Sequence, residues 1–478
     1  MNHDLIARLL DGEALQAIAP ILALTGGVIL LLLADILPGL AILRRPVFLL
    51  SILIAAAFEV HLTRAVPYLA FEGSFAAGPT TAAWGLLFLA SALIAWAFAQ
   101  RYYREESAFQ MEHDVLMLSS VMGMMLMAGA QDLLVFFIGL ELLSVPLYTL
   151  AAFRRARTES VEAGLKYFVL GAFAAAIFLF GTALLYAGTG SISLVELRTL
   201  GVHGPIALTG VALVAASLFF KISVFPFHLW VPDVYQGSPT PVTALMATGT
   251  KAAGFAFLLN ASFLLPSSAS AMVALIAVLT MAAGNFGALM QTDVKRMLAY
   301  SGVAHAGTLL LAVAGDLAGD PERNGAVHAA LFYMGAYVFT AGGAFGLVAL
   351  LEAEGKTVTI DSLRGLAKTR PGIAAALALF MLSLGGIPAT GGFLGKYLVF
   401  SVAVRADMIP VAVIGVLLSV VALGYYLRVV VAMYMQSARD ETKAVAPSRY
   451  ASLFATAACA AMVILLGVLP GWFLSRMV

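Results

Sequence analysis

The sequence predicts an all-α polytopic membrane protein of about fourteen transmembrane helices. Helices four to eight and nine to thirteen are expected to form two inverted five-helix repeats, with helices seven and twelve discontinuous. Three observations carry this reading: the composition, the charge asymmetry of the loops, and two apolar runs that each combine a helix break with a lysine.

Of 478 residues, 62% are hydrophobic and 11% charged, against roughly 25% charged in a soluble globular chain. Such a chain cannot cover its surface with polar groups, so lipid must solvate it. The net charge of +1 argues against a nucleic-acid partner. Cys459 is the single cysteine and lies in an apolar run, which excludes a disulfide, an iron–sulfur cluster or a Cys-based zinc site within this chain. The start, "MNHDLIARLLDGEALQAIAP", lacks the basic opening of a secretory signal and the Arg- and Ser-rich pattern of a transit peptide. The first apolar segment is therefore expected to be retained after co-translational insertion.

The apolar runs fall at about 15–37, 46–62, 80–100, 114–130, 132–153, 162–188, 206–228, 240–262, 268–290, 297–315, 326–352, 372–402, 409–435 and 450–473. "GAQDLL" (129–134) makes the tight turn between the fourth and fifth, with Asp132 as an N-cap. The loops after odd-numbered runs hold Arg44, Arg45, Arg101, Arg104, Arg154, Arg155, Arg157, Lys295, Arg296, Lys356, Arg364, Lys368, Arg370, Arg439, Lys443 and Arg449. The even-numbered loops and the two ends hold only Arg8, Arg64, Arg198, Arg323, Arg405 and Arg476. The richer side marks the cytoplasm, which puts both termini on the opposite side. Four segments follow: 1–113 with the first three helices, 114–262 and 263–435 as the two repeats, and 436–478 with the last helix. The longest loop, about 353–371, is too short to fold alone.

Five basic residues remain inside runs: Lys166, Lys221, Lys251, Lys396 and Arg428, joined by Glu141 and His305. A charge at mid-membrane costs about 2.5–3.5 kcal/mol on insertion scales, and such groups usually mark ion pathways. Lys166 and Arg428 lie within reach of a membrane face and either snorkel or take part in function. Lys251 and Glu141 sit near mid-span, where snorkelling is hard. His305 is either a hydrogen-bonded core histidine or a relay group. In general, burial favours a neutral amine and a nearby carboxylate restores its charge, so a buried Lys–Glu pair is poised to load and release a proton.

Pro226 removes a backbone donor and clashes with the preceding turn, five residues after Lys221. Pro232, Pro239 and Pro241 follow. The twelfth run repeats the device: "LSLGGIPATGGFLGKYLVF" carries Gly385, Gly386, Pro388, Gly391 and Gly392 before Lys396. Irregular backbone at membrane depth is tolerated where it lines a wet cavity or is buried in protein. Two broken runs five apart imply a five-span repeat, and an odd-numbered repeat is inverted. "GLKYFVLGAF" (164–173) echoes "ALFYMGAYVF" (330–339) weakly, setting Lys166 opposite Phe332.

"KISVFPFHLWVPDVYQGSPTPVTALMATGTKAAGF" (221–255) and "DVKRMLAYSGVAHAG" (293–307) give the chain its family likeness. Over essentially its full length it resembles the antiporter-like subunits of respiratory complex I, the proton-pumping NADH:quinone oxidoreductase. "GLELLSVPLYTLAAFRR", "GLKYFVLGAFAAAIFLFG" and "PDVYQGSPTPVTA" fit one branch of that family better than its two larger relatives. The resemblance implies that Glu141 is the carboxylate of the fifth span and Lys221, on the broken seventh, its ion-pair partner. It further implies that Lys251 is the central lysine, His305 a polar linker between two half-channels, Lys396 the lysine leading to the exit, and Lys166 a lysine near the Glu–Lys pair. One departure stands out: Tyr333, in "VHAALFYM", replaces a lysine of the larger relatives.

The resemblance also implies that NADH oxidation and quinone reduction, with flavin and iron–sulfur clusters, belong to other subunits and that this chain binds no cofactor or metal. Partners would be other membrane subunits, including a second antiporter-like subunit and a small polytopic one, in the lipid bilayer of a bacterial inner membrane. There is no Gly-rich dinucleotide motif after a strand, and His113, His228, His305 and His328 are too scattered for a bis-His haem. Two alternatives share the composition: a subunit of a multisubunit cation/proton antiporter or membrane-bound hydrogenase, and a passive structural spacer.

Overall fold

The computed structural model describes residues 12–37, 39–103, 110–322, 324–352, 357–437 and 450–474. The loop and terminal charges Arg8, Arg104, Arg323, Lys356, Arg439, Lys443, Arg449 and Arg476 lie outside the described residues, as do both chain ends.

The helices of seven or more residues are, in order, α1 (Gly12–Ile36), α2 (Arg44–Leu62), α3 (Pro79–Tyr102), α4 (Gln110–Gly129), α5 (Leu133–Ala151), α6 (Thr158–Thr189), the short α7 (Leu194–Leu200), α8 (Pro205–Ile222), α9 (Trp230–Gly237), α10 (Thr240–Asn260), α11 (Ser270–Leu289), α12 (Val294–Ala318), α13 (Gly325–Leu351), α14 (Pro371–Gly385), α15 (Gly391–Arg405), α16 (Ile409–Met435) and α17 (Tyr450–Val468). Among the described residues twelve helical stretches are long and apolar enough to cross a membrane. The other two expected stretches are occupied by α4 and by the pair α14 and α15. Helices α3, α10, α12 and α13 are buried along most of their length, whereas α1, α2, α16 and α17 expose apolar faces. The first group therefore forms the bundle centre and the second meets lipid or neighbours.

One element lies outside the all-α expectation. Strands β1 (Tyr68–Ala70) and β2 (Phe75–Ala77) pair antiparallel between α2 and α3, with Tyr68 opposite Ala77. The turn takes positive φ at Phe71, Glu72 and Gly73.

Asp132 caps α5 as expected, its carboxylate accepting from the amides of Leu134 (2.7 Å) and Val135 (3.3 Å). Asp293 caps α12 in the same way, accepting from Arg296 N at 2.7 Å. Each cap also anchors a backbone bridge to the chain beyond the next helix. Leu133 N donates to Ile192 O and Leu194 N to Gln131 O; Val294 N donates to Val358 O and Ile360 N to Thr292 O. Lys295, counted above among loop charges, is buried: its amine donates to Ser238 O (2.5 Å) and lies 3.8 Å from Glu352 Oε1. It thereby satisfies a carbonyl at the C-terminal end of α9.

Both expected breaks occur, and both have one geometry. Helix α8 ends at Ile222, four residues before Pro226, whose ring excludes the carbonyl at that distance. Ser223 then turns left-handed (φ 68°), with Ser223 N bonded to Phe220 O and Val224 N to Phe219 O. Helix α14 ends at Gly385, and Gly386 (φ 87°) makes the same pair of bonds, to Ser383 O, while Ile387 N reaches Leu382 O. These are Schellman caps. Sequence reading placed the first break at the proline; the helix ends a turn earlier because the steric conflict acts backward along the chain.

Candidate functional site

Lys221 occupies the last turn of α8 and is buried, at 5% exposure. Its ammonium donates to Ser144 Oγ at 2.7 Å, reaches Tyr167 OH at 3.5 Å and lies 5.6 Å from the Tyr167 ring centroid. Ser144 in turn donates to Leu140 O. Glu141 stands three residues before Ser144, so both project from the same face of α5. Glu141 Oε1 is buried without a hydrogen-bond partner, and Glu141 forms no ion pair with the Lys221 amine, although the two feel each other's charge. The expected pair is brought together but open, with Ser144 on the ammonium. The C-terminal end of α8 supplies partial negative charge to it.

From Lys221 an aromatic series leads to the centre. Tyr167 stacks on Trp230 (4.8 Å, 9°), Trp230 meets Tyr235 edge-on at 6.1 Å, and the Lys251 ammonium lies 5.5 Å from the Tyr235 ring centroid. Lys251 is 1% exposed and follows a π-turn, Met246–Thr250, within α10. Such turns re-aim side chains and recur at functional sites. Its amine has no hydrogen-bond partner. Gly302 of α12 leaves room for it: a Cβ there would stand 2.7 Å from Lys251 Nζ and 3.0 Å from Tyr337 OH.

On the far side of Gly302 the polar groups are hydrogen-bonded. His305 Nδ1 lies 2.5 Å from Tyr333 OH and Nε2 lies 3.1 Å from Tyr426 OH, while Ser301 Oγ lies 2.5 Å from the same Tyr426 OH. The His305 and Tyr337 rings are 5.0 Å apart. A small cavity opens beside them, lined by His305, Tyr333, Tyr337, Thr340, Ser383 and Gly395 among others. Lys396, on α15, is buried near Gly386 and donates to Gly385 O at 3.1 Å. An unbonded carbonyl at the end of α14 thus receives the ammonium.

Lys166 projects elsewhere. Its amine pairs with Glu162 (2.7 Å) and Asp233 (3.1 Å) on an exposed face, and the residue that its helix offers to Lys221 is the neighbour Tyr167. Arg428 donates to Leu289 O at 3.0 Å and to Gln291 O, capping the end of α11. Ser144, Tyr167, Tyr235, Tyr337 and Tyr426 were not singled out from sequence. A hydroxyl in an apolar span carries no large insertion cost, so composition does not flag it.

Among the described residues no group of three or more His, Cys, Asp or Glu side chains is placed to hold a metal. Residues 130–422 match the family described as "NADH:quinone oxidoreductase/Mrp antiporter, TM". The chain is 37% identical over 467 residues, 96% of each sequence, to NADH-quinone oxidoreductase subunit N 1 of Chloroherpeton thalassium. Among solved structures it matches a chain of respiratory complex I from Thermus thermophilus with bound aureothin, at TM-score 0.81 and 37% identity, over 95% of this chain and 98% of that one. A chain of the Mrp complex from Dietzia sp. matches at TM-score 0.79 and 21% identity, over 95% and 96%; at that identity the likeness is one of fold.

Proposed function

The chain belongs to the antiporter-like membrane family of NADH:quinone oxidoreductase and Mrp antiporters, in the branch of subunit N, and from that premise we propose how it carries protons. It is a multi-pass, proton-translocating subunit of the membrane arm of NADH:quinone oxidoreductase, working beside other membrane subunits of that complex. The relay runs along Glu141, Lys221, Lys251, His305 and Lys396. The observation that carries this reading is the row of buried polar and aromatic side chains between Lys221 and Lys396, with a broken helix at each side.

The open Glu141–Lys221 pair is the movable element. With the carboxylate one turn away, the Lys221 ammonium rests on Ser144 and Tyr167; closing the pair favours the charged amine. A change in its charge is felt at Lys251, whose amine has no hydrogen-bond partner to hold it in place. Across Gly302, the hydroxyls and imidazole of the Tyr333–His305–Tyr426 cluster pass the proton towards Lys396. Lys166, with Glu162 and Asp233, sets the field near the first break without touching Lys221. Redox centres lie in other subunits, and so does the energy source. The two anchored caps, Asp132 and Asp293, support the inverted repeats 114–262 and 263–435: the same number of residues separates Tyr167 from the bridged Ser193 as Tyr333 from the bridged Thr359. The loop-charge excess supports periplasmic termini, and the neighbours are a second antiporter-like subunit and a small polytopic one.

The test is NADH-driven proton uptake by the purified complex in liposomes, with Glu141→Ala and Lys251→Ala. Both variants should assemble and lose coupled pumping. Wild-type pumping and quinone reduction in both would remove the relay. The antiporter reading shares the fold, but the 37% identity across nearly the whole chain favours subunit N.

A further inference from the structure

Glu59 lies outside the relay, near the end of α2, and is 5% exposed. Its carboxylate packs onto the backbone of α3 at Gly85, where an added Cβ would overlap Oε1. It faces a small recess whose walls include Ala17, Pro20 and Ile21 of α1, Phe75 of β2, Thr81 of α3 and Met125 of α4. Thr81 already donates its hydroxyl to Ala76 O. Among the described residues no hydrogen-bond donor and no basic side chain reaches the Glu59 carboxylate. Around it, Glu13, His61, Arg64 and Glu72 are exposed and Asp132 is half-buried at the N-cap of α5, and none of them lines the recess. Helices α3 and α4 bring no titratable group to it; Arg101, Glu112, His113 and Asp114 belong to their opposite ends.

A buried carboxylate without a donor or counter-ion is neutralised by whatever cation the site admits. A hard divalent cation takes six or more oxygens, and this lining supplies a carboxylate and one hydroxyl. The ligand that fits is a proton. We propose that the Glu59 recess is a proton-binding site separate from the Glu141–Lys396 relay, exchanging with the membrane face that carries the β1–β2 hairpin. Gly85 is there to let the carboxyl lie flat on α3, and the hairpin strand roofs the recess.

A hydrophobic carbodiimide, dicyclohexylcarbodiimide, tests this in the assembled complex. The protonated carboxyl adds through oxygen to the central carbon of N=C=N while its proton moves to a nitrogen; the acyl group then shifts from oxygen to nitrogen, leaving a stable N-acylurea. Peptide mass spectrometry should find the adduct on Glu59, absent in Glu59→Gln. The yield should fall as the pH is raised from about 6 to about 9, approaching tenfold per unit once the group ionises. Gly85→Ala should lower the yield at fixed pH, and Lys251→Ala should leave it unchanged. No adduct on Glu59 at the acid end, or a yield flat with pH in the wild-type complex, would overturn the proposal. Loss of the adduct in Lys251→Ala would overturn its independence from the relay.

Discussion

Gly302→Ala probes the relay at its most confined point. The new methyl would stand 2.7 Å from Lys251 Nζ and 3.0 Å from Tyr337 OH. Comfortable non-bonded separations are about 3.5–4.0 Å, so the ammonium must retreat by roughly 1 Å. Both obstructing atoms are ends of flexible side chains, and the substitution removes a helix-interior glycine from α12, worth about 1 kcal/mol in its favour. Assembly and thermal stability should therefore be unchanged or better. Transfer should suffer, because a misplacement of about 1 Å at a reacting group costs up to about 100-fold. The assay is NADH-driven proton uptake and quinone reduction in liposomes, beside Gly372→Ala, where a Cβ meets nothing within 4 Å. We expect pumping to fall about tenfold or more in Gly302→Ala and to stay at the wild-type rate in Gly372→Ala. A fully assembled Gly302→Ala complex that pumps normally would refute the argument that Lys251 must occupy that position.

Three further outcomes follow from the geometry. Ser144→Ala removes the nearest partner of the Lys221 ammonium (2.7 Å) and Tyr167→Phe the second (3.5 Å); the pumping losses should be non-additive in the double variant, and simple additivity would mean that the two hydroxyls do not share the amine. Ser223→Gly relieves a left-handed residue (φ 68°) and should slow thermal inactivation by about 1 kcal/mol in stability relative to Ser223→Ala, which removes only the buried unpartnered hydroxyl. Asp320→Asn removes the carboxylate charge and one of the two 2.8 Å bonds from Arg405, at a cost of about 1.5–3 kcal/mol. The Arg405 guanidinium holds the Asp320 carboxyl below its ordinary value. That stabilisation is complete above the ordinary carboxylate range near 4 and disappears only as the pH falls through the lowered value. Wild type and variant should therefore differ equally at about pH 7 and about pH 5.5, and convergence by the latter would refute the pairing.

Legibility followed the size of the free energies involved. Lysines and carboxylates in apolar runs were visible because each carries a large insertion cost that an idle residue would not bear; Glu141, Lys221, Lys251 and Lys396 are all buried or partly buried in the bundle. The breaks were visible because proline and glycine act locally. The hydroxyls were not, since Ser144, Tyr167 and Tyr426 cost little to bury and acquire meaning only from the atoms beside them. Glu59 was passed over because it falls near the end of its run, where a carboxylate reads as interfacial.

By itself, then, the amino-acid order determined the membrane class, the helical stretches, the two breaks and the residues that hold charge, because these depend on transfer into lipid and on backbone sterics within a few residues. Tertiary structure alone decided which of them meet. Lys166 and Tyr167 are adjacent in sequence, yet about 100° of helical rotation turns one to Asp233 and the other to Lys221. The Glu141–Lys221 pair stands open on Ser144, and Gly302 gives Lys251 its place. Rotation and register are set by packing over the whole bundle, which no local stretch of the chain encodes.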